Sequence, residues 1–277
     1  MATASTLYNV ASLTKPIAAE VILRLASEGK LSLDEPVANS WIDPDLSADP
    51  RHRSLTPKLC LQHRTGLPNW RWGGDNKLRF QSDPDERFGY SGEGYDYAAR
   101  FAQAKLGESF VELANRYVFQ PIGMQDASFV RRPWFAGRVA MPSGPAGLFG
   151  DPQMFDTWSA ADNLYATTAD FALFLVSVMK SEGLTPQLAR ARLTPESNVP
   201  NMGCADDGDR TTCPRSAGSG LGWMVFDYGN AAVVMHTERD WGENAVAFFV
   251  PKRNLGVVIL TNGAKGMRVI REVVSVL

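Results

Sequence analysis

The sequence predicts an α+β fold, with an antiparallel sheet built late in the chain, helices flanking that sheet, and a helical, loop-rich lobe. Three observations predict it. A short β-like stretch and a helix open the chain. Residues 32–95 are rich in Pro, Asp, Gly and Trp. Residues 220–263 hold four β-like runs separated by turn signals.

The first stretch, "TLYNVAS", predicts a short strand that ends at Ser12. The helix that follows has apolar residues at helical spacing, and Gly29 is a natural stop. The ring of Pro16 would clash with the carbonyl group four residues back, which belongs to Ser12. Ser12 is therefore expected at the N-terminal edge of this helix.

Later segments continue the pattern. A helix is predicted at about 95–117 and divided at Gly107, and another is expected with Thr167 or Thr168 as its N-cap. The runs near the C-terminus are separated by "DYGN" and "PKRN", which have the length of hairpin turns. A final apolar-periodic helix ends the chain.

We predict one catalytic unit over residues 1–277 with two lobes. Residues of about 1–30 join 165–277 in an α/β lobe, and residues of about 31–164 form the helical lobe.

Composition excludes several classes of function. A net charge of −2 and a pI near 6.0 give no electrostatic case for binding nucleic acid or an anionic membrane. No window of the sequence is long and apolar enough to span a bilayer, and no secretory signal opens the chain. We expect a cytoplasmic protein as the chain stands, or a periplasmic or secreted one if an N-terminal segment was removed.

Three cysteines leave one question open. Cys60 lies in an apolar stretch and is predicted to be a buried thiol. Cys204 and Cys213 bracket a polar loop. A disulfide across that loop and two free thiols are equally compatible with the spacing. Zinc is not expected, because no His completes a site nearby.

Ser12 and Lys15 are separated by three positions at the start of the first helix, so their side chains share one face. A serine hydroxyl becomes a nucleophile when a base takes its proton, and a buried lysine can be that base. On the motif alone, a helix cap followed by a solvated lysine is the more frequent interpretation.

Several further segments, in order, resemble the serine β-lactamase and penicillin-binding-protein-like superfamily, in its branch of class C β-lactamases, D-Ala-D-Ala carboxypeptidases and family VIII esterases. The matching segments are "VASLTKP", "LTPKLCLQHRTGLPNW", "RFGYSGEGY", "VFQPIGMQDASF", "NLYATTADFALFL", "GLGWMVF" and "HTERDWGENAVAFFVPKRNLGVVILTNG". This resemblance covers nearly the whole chain.

The resemblance implies roles for individual residues. Ser12 would be acylated, Lys15 would accept its proton, and Tyr90 would complete the base system and protonate the leaving group. The oxyanion would bind the backbone N–H groups of Ser12 and Arg239. His236 would replace the lysine of the K-T-G motif and would be followed by Thr237. A core tyrosine in an aromatic cluster is the alternative for Tyr90.

Two positions depart from the family pattern. Gly92 stands where the Y-x-N motif has Asn, which would read a substrate amide. Glu238 stands at the third position of the segment that resembles the K-T-G motif, where the family has Gly. Its side chain either narrows the cleft or pairs locally with Arg239. We therefore expect a small-molecule ester substrate, with β-lactam or D-Ala-D-Ala hydrolysis second and a catalytically impaired binding or scaffold protein third.

The sequence also lacks the strands that normally precede the nucleophile in this family. A bare sheet edge is a pairing hazard, so we expect a homo-oligomer, a repacked terminus or a truncated form. No metal or organic cofactor is expected, because the proposed proton transfers use only side chains.

Overall fold

The computed structural model describes residues 2–72, 74–147, 150–199, 213–240 and 242–275. A small three-stranded sheet carries the start of the chain. Its strands are β1 (Tyr8–Asn9), β2 (Ala127–Ser128) and β3 (Tyr165–Ala166), with β3 in the centre and antiparallel to both neighbours.

The main sheet has five antiparallel strands in sequence order. They are β4 (Ser216–Ser219), β5 (Met224–Asp227), β6 (Ala232–Arg239), β7 (Asn244–Val250) and β8 (Leu255–Thr261). The two predicted turns are confirmed, because Asp227 pairs with Ala232 and Val250 pairs with Leu255.

Strand β4 was not predicted. Its sequence, "SAGS", has no β-branched or aromatic residue and so carries no strand signal. Small residues fit because β4 lies close to another segment: a Cβ atom on Gly218 would overlap the carbonyl oxygen of Ser197.

The helices surround the two sheets. They are α1 (Thr14–Ser27), α2 (Pro57–Leu61), α3 (Gly92–Leu106), α4 (Phe110–Ala114), α5 (Gln120–Ile122), α6 (Thr168–Lys180), α7 (Pro186–Arg192) and α8 (Gly266–Ser275). Gly107 ends α3 in the left-handed conformation, which confirms the predicted division. Thr167 caps α6 by accepting the Asp170 N–H at 3.1 Å.

The predicted strand at Ser12 is wrong in its end point. Strand β1 ends at Asn9, and Ser12 lies in a 3-10 turn, Ala11–Leu13, that leads into α1. The side chain of Asn9 causes the change, because its Oδ1 accepts the Ala11 N–H at 3.0 Å and holds Ala11 at a φ of 45°. The chain thus leaves the sheet after Asn9, three positions before Ser12.

Helix α1 runs through the middle of the core. Its residues are buried from Thr14 to Leu25, and it packs on α3 and α4. Burial on every face requires an internal partner for each charge. Glu20 and Arg192, both buried, form an ion pair at 2.6 Å that ties α1 to α7. The rigid helix fixes the position of the residues at its N-terminus.

Cys60 is a buried free thiol, as predicted. The proposed bond between Cys204 and Cys213 involves Cys204, which lies outside the described residues. No helix in the described part of the chain is long and apolar enough to cross a membrane.

Candidate active site

Ser12 and Lys15 are in direct contact at the start of α1. The Nζ atom of Lys15 lies 2.8 Å from the Oγ atom of Ser12 and donates to the carbonyl oxygen of Ala161 at 3.0 Å. Lys15 is fully buried, which contradicts the interpretation of a solvated lysine after a helix cap. The spacing of three residues therefore forms a serine–lysine pair.

The electrostatics of Lys15 favour proton transfer. Burial lowers the pKa of Lys15 from 10.5 to about 8, because the charged ammonium loses its hydration. The negative charges of Asp162 and Glu238 oppose this shift only in part. Near pH 8, about half of the lysine is therefore neutral and able to accept a proton.

Tyr90 completes this group. Its hydroxyl hydrogen-bonds the side chain of Ser12, and its ring centroid is 4.7 Å from the Nζ atom of Lys15. Burial raises the pKa of Tyr90 above its usual value of 10.0, so the phenol keeps its proton at neutral pH. Tyr90 is thus suited to donate a proton, whereas Lys15 is suited to accept one.

His63 holds Tyr90 from behind. The two rings stack with centroids 4.3 Å apart, and the Nδ1 atom of His63 accepts the Ser91 N–H at 3.0 Å. Burial, followed by the nearby Lys15 charge, lowers the pKa of His63 well below 6.5. The neutral imidazole fixes the backbone next to Tyr90.

The residues that position Ala161 were not predicted from the sequence. Asp96 is half-buried on α3 and accepts the Ala160 N–H at 2.6 Å and the Ser159 hydroxyl at 3.0 Å. These bonds hold the segment whose carbonyl group receives the Lys15 ammonium. Burial raises the pKa of Asp96 to about 6. A lone acid among the aromatic residues of "YDYAARF" was the available signal.

Gly92 is explained by an aromatic ring. A Cβ atom at this position would lie 2.8 Å from the Cη2 atom of Trp70, so the indole fills the space that a longer side chain would take. The Gly92 N–H donates to the Oδ1 of Asn69 at 2.9 Å. Trp70 therefore forms an apolar wall beside Gly92, the position at which the resemblance places an amide side chain.

Trp70 is held in place by its neighbour. The guanidinium of Arg71 pairs with the Glu93 carboxylate at 2.7 Å, and the Arg71 N–H donates to the same group at 2.9 Å. Trp72, which is 69% exposed, stacks on Trp70 with ring centroids 4.7 Å apart. This aromatic wall was not predicted from the sequence, although the segment "NWRW" lies shortly before Gly92 in the chain.

His236 and Thr237 lie on β6 beside this group. The ring of His236 is buried and has its centroid 6.3 Å from that of Tyr90. Burial, with the Lys15 charge in second place, lowers the pKa of His236 to about 3, so the imidazole is neutral. Thr237 is exposed. His236, which the resemblance places at the position of the motif lysine, thus carries no positive charge.

Glu238 binds both N–H groups that were predicted to form the oxyanion hole. Its Oε2 accepts the Ser12 N–H at 2.8 Å, and its Oε1 accepts the Arg239 N–H at 2.7 Å. The alternative was a salt bridge between Glu238 and the Arg239 side chain. In the described residues, Glu238 instead contacts the main-chain N–H of Arg239. A carboxylate therefore spans the two donors.

Further carboxylates surround the cleft. Burial raises the pKa of Asp162 to about 6 and that of Glu243 to about 7, and the charge of Glu238 contributes to both shifts. In the part of the chain that the structure describes, no group of three or more His, Cys, Asp or Glu has the arrangement of a metal site.

Known proteins resemble this chain over nearly its whole length. Residues 2–273 match the Beta-lactamase family. Among curated relatives, penicillin-binding protein 4 of Amycolatopsis lactamdurans is 22% identical over 94% of this chain and 73% of its own length. Esterase EstB of Burkholderia gladioli is 26% identical over 94% of this chain and 78% of its own length.

The fold has solved counterparts. The octameric penicillin-binding protein homologue from Pyrococcus abyssi superposes with a TM-score of 0.78 at 22% identity, covering 94% of this chain and 63% of that one. This confirms the predicted β-lactamase/transpeptidase-like fold. Because the family match spans almost every residue and the segments follow in order, the chain belongs to the Beta-lactamase family.

Proposed function

We propose that the protein is a serine hydrolase that forms an acyl-enzyme at Ser12 and acts on carboxylic esters. The observation that carries the proposal is the contact of 2.8 Å between Ser12 and a fully buried Lys15 whose pKa is lowered to about 8. A buried lysine beside a serine hydroxyl is an activated nucleophile and base pair.

The acylation step uses the three side chains in order. Neutral Lys15 accepts the proton of Ser12, and the Oγ atom forms a bond to the ester carbonyl carbon. The tetrahedral intermediate collapses as the ester C–O bond breaks, and Tyr90 gives its proton to the departing alkoxide. Lys15 then returns a proton to Tyr90.

Deacylation repeats these roles with water. Neutral Lys15 accepts the proton of a water molecule, and the water oxygen attacks the acyl carbon. The bond to Oγ breaks, Ser12 regains a proton, and the carboxylic acid leaves. The oxyanion of each intermediate needs the N–H groups of Ser12 and Arg239, so the carboxylate of Glu238 must first leave them.

Esters are favoured over amides because of Gly92 and Trp70. The side chain that would read a substrate amide is absent, and an indole fills its place. Esters are also easier to acylate from than amides, and one relative is an esterase. Hydrolysis of β-lactams or D-Ala-D-Ala peptides is the second candidate, since another relative is a penicillin-binding protein.

A non-catalytic role is the third candidate, and the contact of Glu238 with both oxyanion donors is the observation that favours it. The deciding experiment measures hydrolysis of p-nitrophenyl butyrate and nitrocefin by the wild type and by Ser12→Ala. We expect ester turnover that is lost in the variant, with only trace nitrocefin turnover. Efficient nitrocefin turnover would select the second candidate, and no turnover of either compound by folded protein would select the third.

We also propose that a second copy of the chain covers one edge of the main sheet. Within the described residues β8 pairs only with β7, and α8, which packs on β7, leaves Val269, Val273 and Val274 exposed by 53%, 39% and 39%. Analytical ultracentrifugation should find an oligomer. A monodisperse monomer at micromolar concentration would contradict this proposal.

A further inference from the structure

Glu238 occupies the place where a substrate carbonyl oxygen must bind. Its two oxygens lie 2.8 Å and 2.7 Å from the backbone nitrogens of Ser12 and Arg239. The carboxylate is negative and accepts one N–H on each oxygen, whereas the oxyanion of a reaction intermediate would accept both N–H groups on its single oxygen. In this arrangement the hole is closed to a neutral carbonyl group.

The side chain can leave without moving the strand. Strand β6 is fixed to β7 by the pairs Glu238–Ala245 and Arg239–Asn244, so the backbone donors stay in place when the side chain rotates. Glu238 is half-buried, and its neighbours Thr237 and Arg239 are exposed. Rotation about its side-chain bonds therefore carries the carboxylate towards solvent at the mouth of the cleft.

The surroundings decide what can hold the carboxylate once it has rotated. Asp162 and Glu243 interact with it as like charges. His236 is neutral, and Lys15 is buried and committed to Ser12 and Ala161. A displaced Glu238 thus loses two charge-assisted hydrogen bonds and meets further negative charge. A positively charged group on the substrate would give it a new partner.

We propose that Glu238 is the specificity-determining residue of this hydrolase: it closes the oxyanion hole in the resting enzyme and is drawn away by substrates that carry an organic cation next to the scissile carbonyl. The inference rests on the proposed acyl-enzyme function. Neutral esters react slowly because they offer the displaced Glu238 no charged partner, and anionic substrates are repelled by it.

The test uses two esters of the same shape. The p-nitrophenyl ester of trimethylglycine is cationic, and that of 3,3-dimethylbutyric acid is its neutral counterpart. Each kcat/KM is divided by the rate of that ester's own hydroxide hydrolysis, which removes the intrinsic difference in reactivity. Wild type, Glu238→Gln and Glu238→Gly are compared, with Glu28→Gln as the matched control. Glu28 is a half-exposed carboxylate at the opposite end of α1.

We expect the wild type and Glu28→Gln to prefer the cationic ester by at least about tenfold, the size of a single ion-pair effect. In Glu238→Gln and Glu238→Gly the preference should fall to within about twofold, and labelling of Ser12 by a neutral fluorophosphonate should accelerate by about tenfold or more. A circular dichroism spectrum and melting curve establish that each variant is folded.

Two results would overturn the inference in different ways. If Ser12 is labelled equally fast in all four proteins and the cationic preference is absent or survives in Glu238→Gln, Glu238 does not select substrates, although the acyl-enzyme function stands. If folded Glu238→Gly and folded wild type both fail to label at Ser12, the acyl-enzyme function itself fails, and the inference fails with it.

Discussion

The two sides of the cleft differ in what occupies them. On the side that moves protons, Ser12, Lys15 and Tyr90 contact one another, and the ammonium of Lys15 is held by the main chain at Ala161. On the side proposed to receive the substrate carbonyl, Trp70 fills the space next to Gly92, and Glu238 binds the two backbone N–H groups of the proposed oxyanion hole. Under the proposed function, the proton-transfer side keeps the residues that the resemblance implies, whereas the carbonyl-binding side departs from them at Gly92 and Glu238.

The largest effect should come from removing the base. Lys15→Met keeps an unbranched side chain of similar size in the buried position but cannot accept a proton. We expect the rate of Ser12 acylation by p-nitrophenyl butyrate to fall about 1,000-fold, as for loss of a general base. Stopped-flow release of p-nitrophenol measures it.

Lys30→Met is the matched control, because Lys30 is a surface lysine just after the far end of α1. It should acylate like the wild type. Full acylation activity in a folded Lys15→Met protein would remove Lys15 from the mechanism.

The pH dependence of acylation should be the next largest effect. Because burial lowers the pKa of Lys15 to about 8, its base form is scarce at pH 6 and dominant at pH 9. The rate should therefore rise about 100-fold between these values and level off above pH 8. A profile of kcat/KM against pH measures it. A rate that keeps rising to pH 10.5 would mean that Lys15 is not desolvated in solution.

Removing the proton donor should have an effect whose size depends on the leaving group. Tyr90→Phe keeps the stacked ring beside His63 but removes the hydroxyl. We expect kcat/KM to fall about 100-fold for ethyl butyrate, whose alkoxide needs a proton, and about tenfold for the p-nitrophenyl ester. Equal losses for both esters would show that Tyr90 does not protonate the leaving group.

The smallest effect should be on the free energy of unfolding, through the packing of Gly92 against Trp70. Gly92→Asn places a Cβ atom 2.8 Å from Trp70 and should destabilise the fold by about 1–3 kcal/mol through overpacking. In the background of Trp70→Ala, which opens that space, the same change should cost less by about 1 kcal/mol. Urea unfolding of the four proteins measures this double-mutant cycle, and strictly additive free energies would contradict the steric account.

Sequence reasoning succeeded where the contacts are local or follow the family motifs. Ser12 and Lys15 are one helical turn apart, so their pairing followed from spacing, and the hairpins of the main sheet followed from their turn residues. The end of β1 was missed because the side chain of Asn9, and not β propensity, sets the turn before Ser12.

The remaining features depend on contacts between distant segments. Asp96 meets Ala160 across 64 positions, and Glu238 meets Ser12 across 226. The substitutions at Gly92 and Glu238 were visible in the sequence, but their consequences were not. The packing of Trp70 against Gly92, and the binding of a carboxylate across two backbone donors, follow only from the folded geometry.

The central claim is that Ser12 is the nucleophile, and trapping its adduct tests this claim most directly. Wild type and Glu238→Gly are incubated with a fluorophosphonate, and the intact masses are compared with that of Ser12→Ala. We predict one phosphonyl adduct per chain, mapped to Ser12, faster in Glu238→Gly and absent in Ser12→Ala. An adduct at another residue, or none on the two folded proteins that retain Ser12, would contradict the account.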